Sequence, residues 1–113
     1  MSIEPKDMVD YAHQMLSNDS PELELRNIIN RAYYGAFLTA RDAANITNSS
    51  GSVHKEVADY YLRQKSKSRL GNSLNVLKKL RETADYKPDE DVTPRDAKKS
   101  CRTAKSILDG LDD

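Results

Sequence analysis

Cysteine, glycine and proline are scarce in this chain of 113 residues, tryptophan is absent, and long apolar runs are missing. The single cysteine, Cys101, excludes an internal disulfide and a four-cysteine metal site. No run approaches a membrane span of about 20 apolar residues, and the first residues have no apolar signal core. We therefore expect a cytoplasmic protein without a membrane segment, and none of its motifs calls for a metal or a cofactor.

A chain of this length has room for one core, so residues 1–113 are predicted to form a single domain. Its 18 Lys and Arg residues equal its 18 Asp and Glu residues, so the net charge gives no indication of nucleic-acid binding. One stretch is nevertheless purely basic: Arg63, Lys65, Lys67, Arg69, Lys78, Lys79 and Arg81. Two interpretations stand, a stripe that follows a phosphate backbone and a solvated helix face.

Apolar residues recur at helical spacing in five segments, and no segment shows the alternation of a strand. The first helix is predicted over about residues 3–16. The second begins at Pro21 with Ser20 as its N-cap, and ends near residues 45–47, before Asn48-Ser49-Ser50-Gly51. Its apolar stripe is Leu25, Ile28, Ile29, Ala32, Tyr33, Ala36, Phe37, Ala40, Ala43 and Ala44.

The remaining helices follow the same logic. Ser52 caps the third helix, whose inner face is Val53, Val57, Tyr60 and Tyr61. A break is predicted near residues 66–68, then a fourth helix to about Ala84, and a loop over residues 85–92. Thr93 and Asp96 form a capping box for the last helix, which begins at Pro94 and buries Ala97, Cys101, Ala104, Leu108 and Leu111, with Ile107 beside them. The predicted fold is all-α, an antiparallel four- to five-helix bundle.

Three segments of the chain carry a family resemblance. They are residues 24–37, with Arg31-Ala32-Tyr33-Tyr34; residues 53–57, which begin Val53-His54; and residues 77–86, with Arg81-Glu82-Thr83-Ala84-Asp85-Tyr86. In this order they resemble the small HEPN proteins of bacteria and archaea, whose signatures are an Arg-Ala-Tyr-Tyr helix and an Arg-x-x-Ala-Asp-Tyr stretch. The resemblance covers nearly the whole chain.

The resemblance implies a helical bundle that often dimerises. Many HEPN proteins are metal-independent ribonucleases of toxin–antitoxin pairs, frequently with a nucleotidyltransferase partner, or effectors in antiviral defence. Their usual motif is an Arg followed after four to six residues by a His, placed across a dimer interface. The reaction resembles transfer of the RNA 2′-hydroxyl onto its own phosphate, which needs a base, an acid and cations around the phosphoryl oxygens.

This chain departs from that motif. Its two histidines are His13 and His54, and neither follows an Arg by four to six residues. After Arg81, Asp85 and Tyr86 stand where the histidine is expected, and tyrosine is a poor base at neutral pH. We therefore expect a HEPN module that dimerises or pairs with a partner protein and lacks standard ribonuclease activity. The alternative is a divergent metal-independent endoribonuclease.

The candidate residues fall into two groups. The RNA- or phosphate-binding candidates are Arg31, Tyr34, Arg81 and Asp85, and the catalytic candidates are Arg81, Tyr86 and His54. Each has a structural alternative: Arg81 pairs with Asp85 at a helix end while Tyr86 packs into the bundle, Tyr34 packs edge-on, and His54 is a hydrogen-bonding structural residue.

The expected partners are a second copy of the chain, a nucleotidyltransferase-type protein and RNA. Tyr60 and Tyr61 either stack on bases or belong to the core. Cys101 lies in an apolar stripe, so we expect a small buried residue rather than a nucleophile. A third class, a helical scaffold without a nucleic-acid role, fits the balanced charge.

Overall fold

A computed structural model describes residues 2–47 and 52–112 of the chain. Within these ranges it contains α-helices and no β-strand, which confirms the all-α prediction. The helices are α1 (Pro5–Met15), α2 (Glu22–Ala43), α3 (Val53–Leu62), α4 (Ser68–Tyr86) and α5 (Pro94–Asp112). Residues 48–51, which follow the predicted end of the second helix, lie outside the described residues. No helix in the described ranges combines the length and apolar character needed to cross a membrane.

Two of the predicted helix starts are confirmed by local hydrogen bonds. The Ser52 hydroxyl accepts from the Lys55 backbone N–H at 3.3 Å and caps α3. At α5, the Thr93 N–H donates to the Asp96 carboxylate at 3.0 Å, and the Asp96 N–H donates back to the Thr93 hydroxyl at 3.3 Å. This reciprocal pair is the predicted capping box. Both devices depend only on residues three apart.

Two other predicted boundaries are wrong. Ser20 does not cap α2; Pro21 is the N-cap in an extended conformation, and the acidic side chains of Glu22 and Glu24 complement the helix dipole instead. The helix α4 continues to Tyr86, past the predicted end at Ala84, so the loop begins after it. Smaller differences occur at α1 and at the end of α2, each of one to four residues.

The core is built around α2, which packs against α1, α4 and α5, whereas α3 lies mainly against α4. All five helices contribute to one cluster of buried apolar residues. The predicted stripe of α2 is buried as far as Ala40, but Ala43 is exposed. In α3 the predicted inner residue Tyr60 is 38% exposed, and His54 and Ala58 are buried in its place. In α5, Ile107, which was predicted to lie beside the apolar stripe, is fully buried.

Close helix crossings occur where glycine replaces a side chain. A Cβ added to Gly71 would lie 2.7 Å from the Ala58 carbonyl oxygen and 2.6 Å from Leu62 Cγ. One turn later along α4, Asn75 meets His54 near the start of α3. Because residues progress in opposite directions along the two helices, α3 and α4 are antiparallel neighbours.

We predict that Gly71→Ala lowers the free energy of unfolding by about 1–3 kcal/mol, since a backbone oxygen of α3 must shift to make room. Gly110→Ala is the matched control. Its new Cβ would meet only the flexible Leu70 side chain, at 2.6 Å from Cδ2. The helix propensity of alanine, about 1 kcal/mol better than glycine, offsets that contact. Urea unfolding of both variants tests the crossing, and equal stabilities would contradict it.

Candidate functional site

The end of α4 is held by a side chain from α2. The Arg26 guanidinium donates through Nη1 to the carbonyls of Thr83 at 3.0 Å, Ala84 at 3.1 Å and Lys87 at 3.2 Å. Its Nη2 donates to the carbonyls of Pro88, at 3.4 Å, and Glu90. The last carbonyls of a helix have no partner within it, and a cation there complements the dipole. Arg26 therefore fixes the end of α4, where the candidate site lies.

The site is centred on Arg81, one turn before the end of α4. Its guanidinium carbon lies 4.9 Å from the ring centroid of Tyr33, 5.8 Å from that of Tyr34 and 5.4 Å from that of Tyr86. These distances are within the range of cation–π interaction. The Arg81 side chain is only 13% exposed, so three aromatic rings supply most of its surroundings.

The polar partners of Arg81 are few. Nη1 donates to the Tyr86 hydroxyl at 3.2 Å and lies 3.7 Å from the Asp85 carboxylate, one turn along the helix. The same Asp85 oxygen accepts from the Asn30 side-chain amide at 3.0 Å. Arg81 Nε is buried and makes no hydrogen bond within the described part of the chain. The guanidinium therefore keeps unused hydrogen-bonding capacity beside a single weakly paired carboxylate.

Behind this cluster, His54 joins three helices. Its Nδ1 lies 2.8 Å from the Tyr33 hydroxyl of α2, and its Nε2 lies 3.2 Å from Asn75 Oδ1 of α4. Because the amide oxygen is an acceptor, Nε2 carries the ring proton and donates it, and Nδ1 accepts from the Tyr33 O–H. The imidazole is 6% exposed and stacks near Phe37, with ring centroids 5.7 Å apart.

The electrostatics favour neutral forms for these buried groups. Burial lowers the pKa of His54, the nearby cations Lys78 and Arg81 lower it further, and the hydrogen bond to Asn75 opposes them. Burial also raises the pKa of Tyr33 to about 12, with Arg81 acting in the opposite direction. At neutral pH the Tyr33–His54–Asn75 chain is uncharged, and Arg81 is the cation of the site, 3.7 Å from the Asp85 carboxylate.

The structure brings together three of the four phosphate-binding candidates, Tyr34, Arg81 and Asp85, and places the fourth apart. Arg31 is exposed and lines a cavity of about 610 Å³ with residues of α1 and the segment before it, including Met8 and Tyr11. Tyr34 faces the edge of the Tyr33 ring at 5.0 Å, as its structural alternative expects, and also borders Arg81.

The three catalytic candidates differ in access. Tyr86 is 68% exposed, so the alternative in which it packs into the bundle is wrong, although Arg81 and Asp85 do pair. His54 has both ring nitrogens in hydrogen bonds, as its structural alternative expects.

The remaining candidates for reactivity are the cysteine thiol and clusters of metal-binding side chains. Cys101 is fully buried, which confirms its prediction, and burial raises the pKa of its thiol to about 11. In residues 2–47 and 52–112 no three His, Cys, Asp or Glu side chains cluster in a way that could hold a metal ion.

Sequence reasoning missed Tyr33, Asn75 and Arg26 as parts of the site. Tyr33 counts as apolar in the stripe of α2, and its hydroxyl leaves no mark on the periodicity. Arg26 did leave a signal. It precedes Tyr33 by seven residues, which places both on nearly the same side of α2. A cation on the buried side of a helix requires partners, and here they are backbone carbonyls from a distant segment.

Comparison of the chain with protein-family models, with curated proteins and with solved structures gives no match.

Replacing Arg26 tests its role at the end of α4. We predict that Arg26→Gln lowers the free energy of unfolding by at least about 2 kcal/mol, because hydrogen bonds from a charged donor to several carbonyls are lost. Arg31→Gln, an exposed change on the same helix, should alter it by no more than about 0.5 kcal/mol. Urea unfolding measures both, and amide hydrogen exchange should accelerate at residues 83–90 in Arg26→Gln alone. Similar behaviour of the two variants would refute the assignment.

The lowered pKa of His54 predicts a pH dependence of stability. The unfolded chain, with a histidine pKa near 6.5, takes up a proton before the folded protein does. The contribution of His54 is therefore complete above about pH 6.5 and is lost as the pH falls toward its lowered folded pKa. Denaturant titrations between pH 7.5 and 5 should show this loss in the native protein and in His13→Gln. A His54→Gln variant that keeps the same slope would contradict it.

Proposed function

We propose that this protein is a HEPN-like module of a prokaryotic toxin–antitoxin or defence system. It dimerises or pairs with a partner such as a nucleotidyltransferase-type protein, binds RNA phosphate at Arg81, and lacks standard HEPN ribonuclease activity. One observation carries the proposal: the histidine near Arg81 is His54, which is 6% exposed and has both ring nitrogens in hydrogen bonds, one with Tyr33 and one with Asn75.

The chemistry of RNA cleavage explains why this observation matters. Attack by the 2′-hydroxyl requires a base that reaches it and an acid that reaches the leaving oxygen. His54 has a lowered pKa and is 6% exposed, so its basic lone pair is buried and already accepts the Tyr33 proton. Loss of a main acid–base group removes about two to four orders of magnitude in rate. Binding of RNA phosphate is retained because it requires only the Arg81 cation.

The surroundings of Arg81 support phosphate binding. Three tyrosine rings surround the guanidinium without neutralising it, and its pairing with the Asp85 carboxylate is loose, at 3.7 Å. Tyr86 covers the guanidinium from the solvent side and is itself 68% exposed. When Tyr86 rotates outward, a phosphate can take the place of its hydroxyl at Nη1, and charge-assisted pairing of guanidinium with phosphate is strong.

A second candidate function follows from the same contact. In a divergent metal-independent endoribonuclease, Arg81 holds the phosphate and Tyr86 moves the protons, with His54 as the alternative proton carrier. The observation in its favour is the Tyr86 hydroxyl, which is exposed and accepts from Arg81 at 3.2 Å.

The two functions make different predictions for purified protein. For the module, size-exclusion chromatography with light scattering should give a dimer or a complex with a co-purifying protein. RNA should stay intact in the presence of EDTA, and Arg81→Ala should weaken RNA binding about tenfold or more through the lost charged contact. Arg102→Ala, an exposed change on α5, is the matched control and should bind as the native protein does.

Three results would count against the module. A clean monomer at tens of micromolar without a co-purifying protein removes the pairing role. Equal RNA affinity of Arg81→Ala and Arg102→Ala removes the phosphate site. Metal-independent RNA cleavage that Tyr86→Phe abolishes would establish the second function in its place.

A further inference from the structure

The charge of this neutral chain is strongly divided along the sequence. Residues 60–81 contain no Asp or Glu and hold seven of the 18 basic residues, so the rest of the chain carries 11 basic and all 18 acidic residues. Arg81 belongs to the site described above. Four of the others, here called the basic end, surround the turn between α3 and α4: Arg63, Lys65, Lys67 and Arg69.

The cations of the basic end are available to a ligand. Among the described residues, none of the four lies within salt-bridge distance of a carboxylate. Arg63 Nε donates to the backbone carbonyl of Asp59 at 3.2 Å, while the Asp59 carboxylate pairs with Lys55 at 2.8 Å. Arg63, Lys65 and Arg69 are exposed. Within the described part of the protein these four cations therefore form no salt bridge.

The local fold adds to that positive charge and forms a cavity beside it. The first turn of α4 contains no acidic residue, and no side chain caps it at Lys67, so the positive end of the helix dipole adds to the field. A cavity of about 250 Å³ opens here between the start of α4 and the end of α5, lined by Ser66, Lys67, Arg69, Leu70 and Gly110. Two cations and a hydroxyl thus line one depression.

An aromatic ring precedes Arg63, the first of these cations, by three residues. Tyr60 of α3 is 38% exposed, and the edge-to-face contact with buried Tyr61, at 5.0 Å between centroids, holds its ring in place. Cationic grooves flanked by aromatic rings are the usual means of binding single strands, because phosphates meet the cations and bases stack on the rings.

We propose that the basic end, with Tyr60, binds the phosphodiester backbone of single-stranded nucleic acid. This surface is distinct from the Arg81 site, since Arg69 and Arg81 are twelve residues apart on α4, about 18 Å at the helical rise. The proposal goes beyond the function proposed above and does not depend on it, because it requires neither a dimer nor Arg81.

The test is the salt dependence of binding to a fluorescein-labelled oligouridylate, followed by anisotropy with the full chain. The variant carries Lys65→Gln, Lys67→Gln and Arg69→Gln. The matched control carries Lys98→Gln, Lys99→Gln and Arg102→Gln, three exposed changes of equal charge on α5. Each phosphate contact contributes about −0.7 to the slope of log affinity against log salt concentration. The slope should therefore become about 2 shallower in the variant and stay unchanged in the control.

Tyr60 supplies a second, salt-independent readout. Tyr60→Ala should weaken oligouridylate binding about fivefold or more through the lost stacking, with an unchanged salt slope, whereas Tyr60→Phe keeps the ring and the affinity.

Several outcomes would overturn the proposal. Equal slopes for the variant and the control show that the basic end makes no phosphate contact. Displacement of the oligonucleotide by polyglutamate at equal charge concentration shows that the surface takes an acidic polypeptide instead. Complete loss of binding in Arg81→Ala, with the triple variant unaffected, assigns all binding to the Arg81 site; that result rejects the basic end and leaves the proposed function standing.

Discussion

The contact between Arg26 and the carbonyls at the end of α4 is the constraint on which the site depends. One guanidinium of α2 accounts for hydrogen bonds to five carbonyls between Thr83 and Glu90. Since α4 is thereby continued to Tyr86, Arg81 and Asp85 lie one turn apart on a regular helix and face the same side. Without the Arg26 side chain these carbonyls would need water as their hydrogen-bond partner. The exposed Tyr86 ring at the end of α4 would no longer be held beside Arg81.

The architecture around this anchor separates two roles for polar groups. Tyr33 and His54 are buried and hydrogen-bonded to each other, and the exposed Asn75 of α4 completes this neutral network. Arg81 lies over the same Tyr33 ring, with its guanidinium carbon 4.9 Å from the ring centroid. A single tyrosine thus directs its hydroxyl to His54 and a face of its ring to Arg81.

Much of the fold could be predicted from the sequence because its determinants are local. The Thr93–Asp96 capping box, the Ser52 cap and the apolar stripe of α2 all depend on residues a few positions apart. The predictions that failed depend on distant segments. The end of α4 is set by Arg26, more than fifty residues earlier, and no periodicity within α4 indicates it. The exposure of Tyr60 depends on how α3 packs against α4, which the apolar pattern of α3 alone does not indicate.

The site was predictable to a similar degree. The spacing of Arg81, Asp85 and Tyr86 follows from one helix, and the structure does place them together. Arg31 lies apart from them, because its side chain lines the cavity beside α1, although its spacing of three from Tyr34 places the two residues next to each other on α2. That separation depends on which side of α2 each neighbouring helix occupies, which the pattern of a single helix does not determine.

The hydrogen-bonded chain from Tyr33 through His54 to Asn75 has a further consequence for how the helices are aligned. Apolar contacts are non-directional, and the leucine- and alanine-rich faces of α2, α3 and α4 would tolerate sliding past one another by a turn. The Tyr33–His54 contact would not, since a slip of α2 against α3 separates the buried Tyr33 hydroxyl from the imidazole that it meets at 2.8 Å. The imidazole therefore favours one axial alignment of α2 and α3 among several that would bury a similar apolar area.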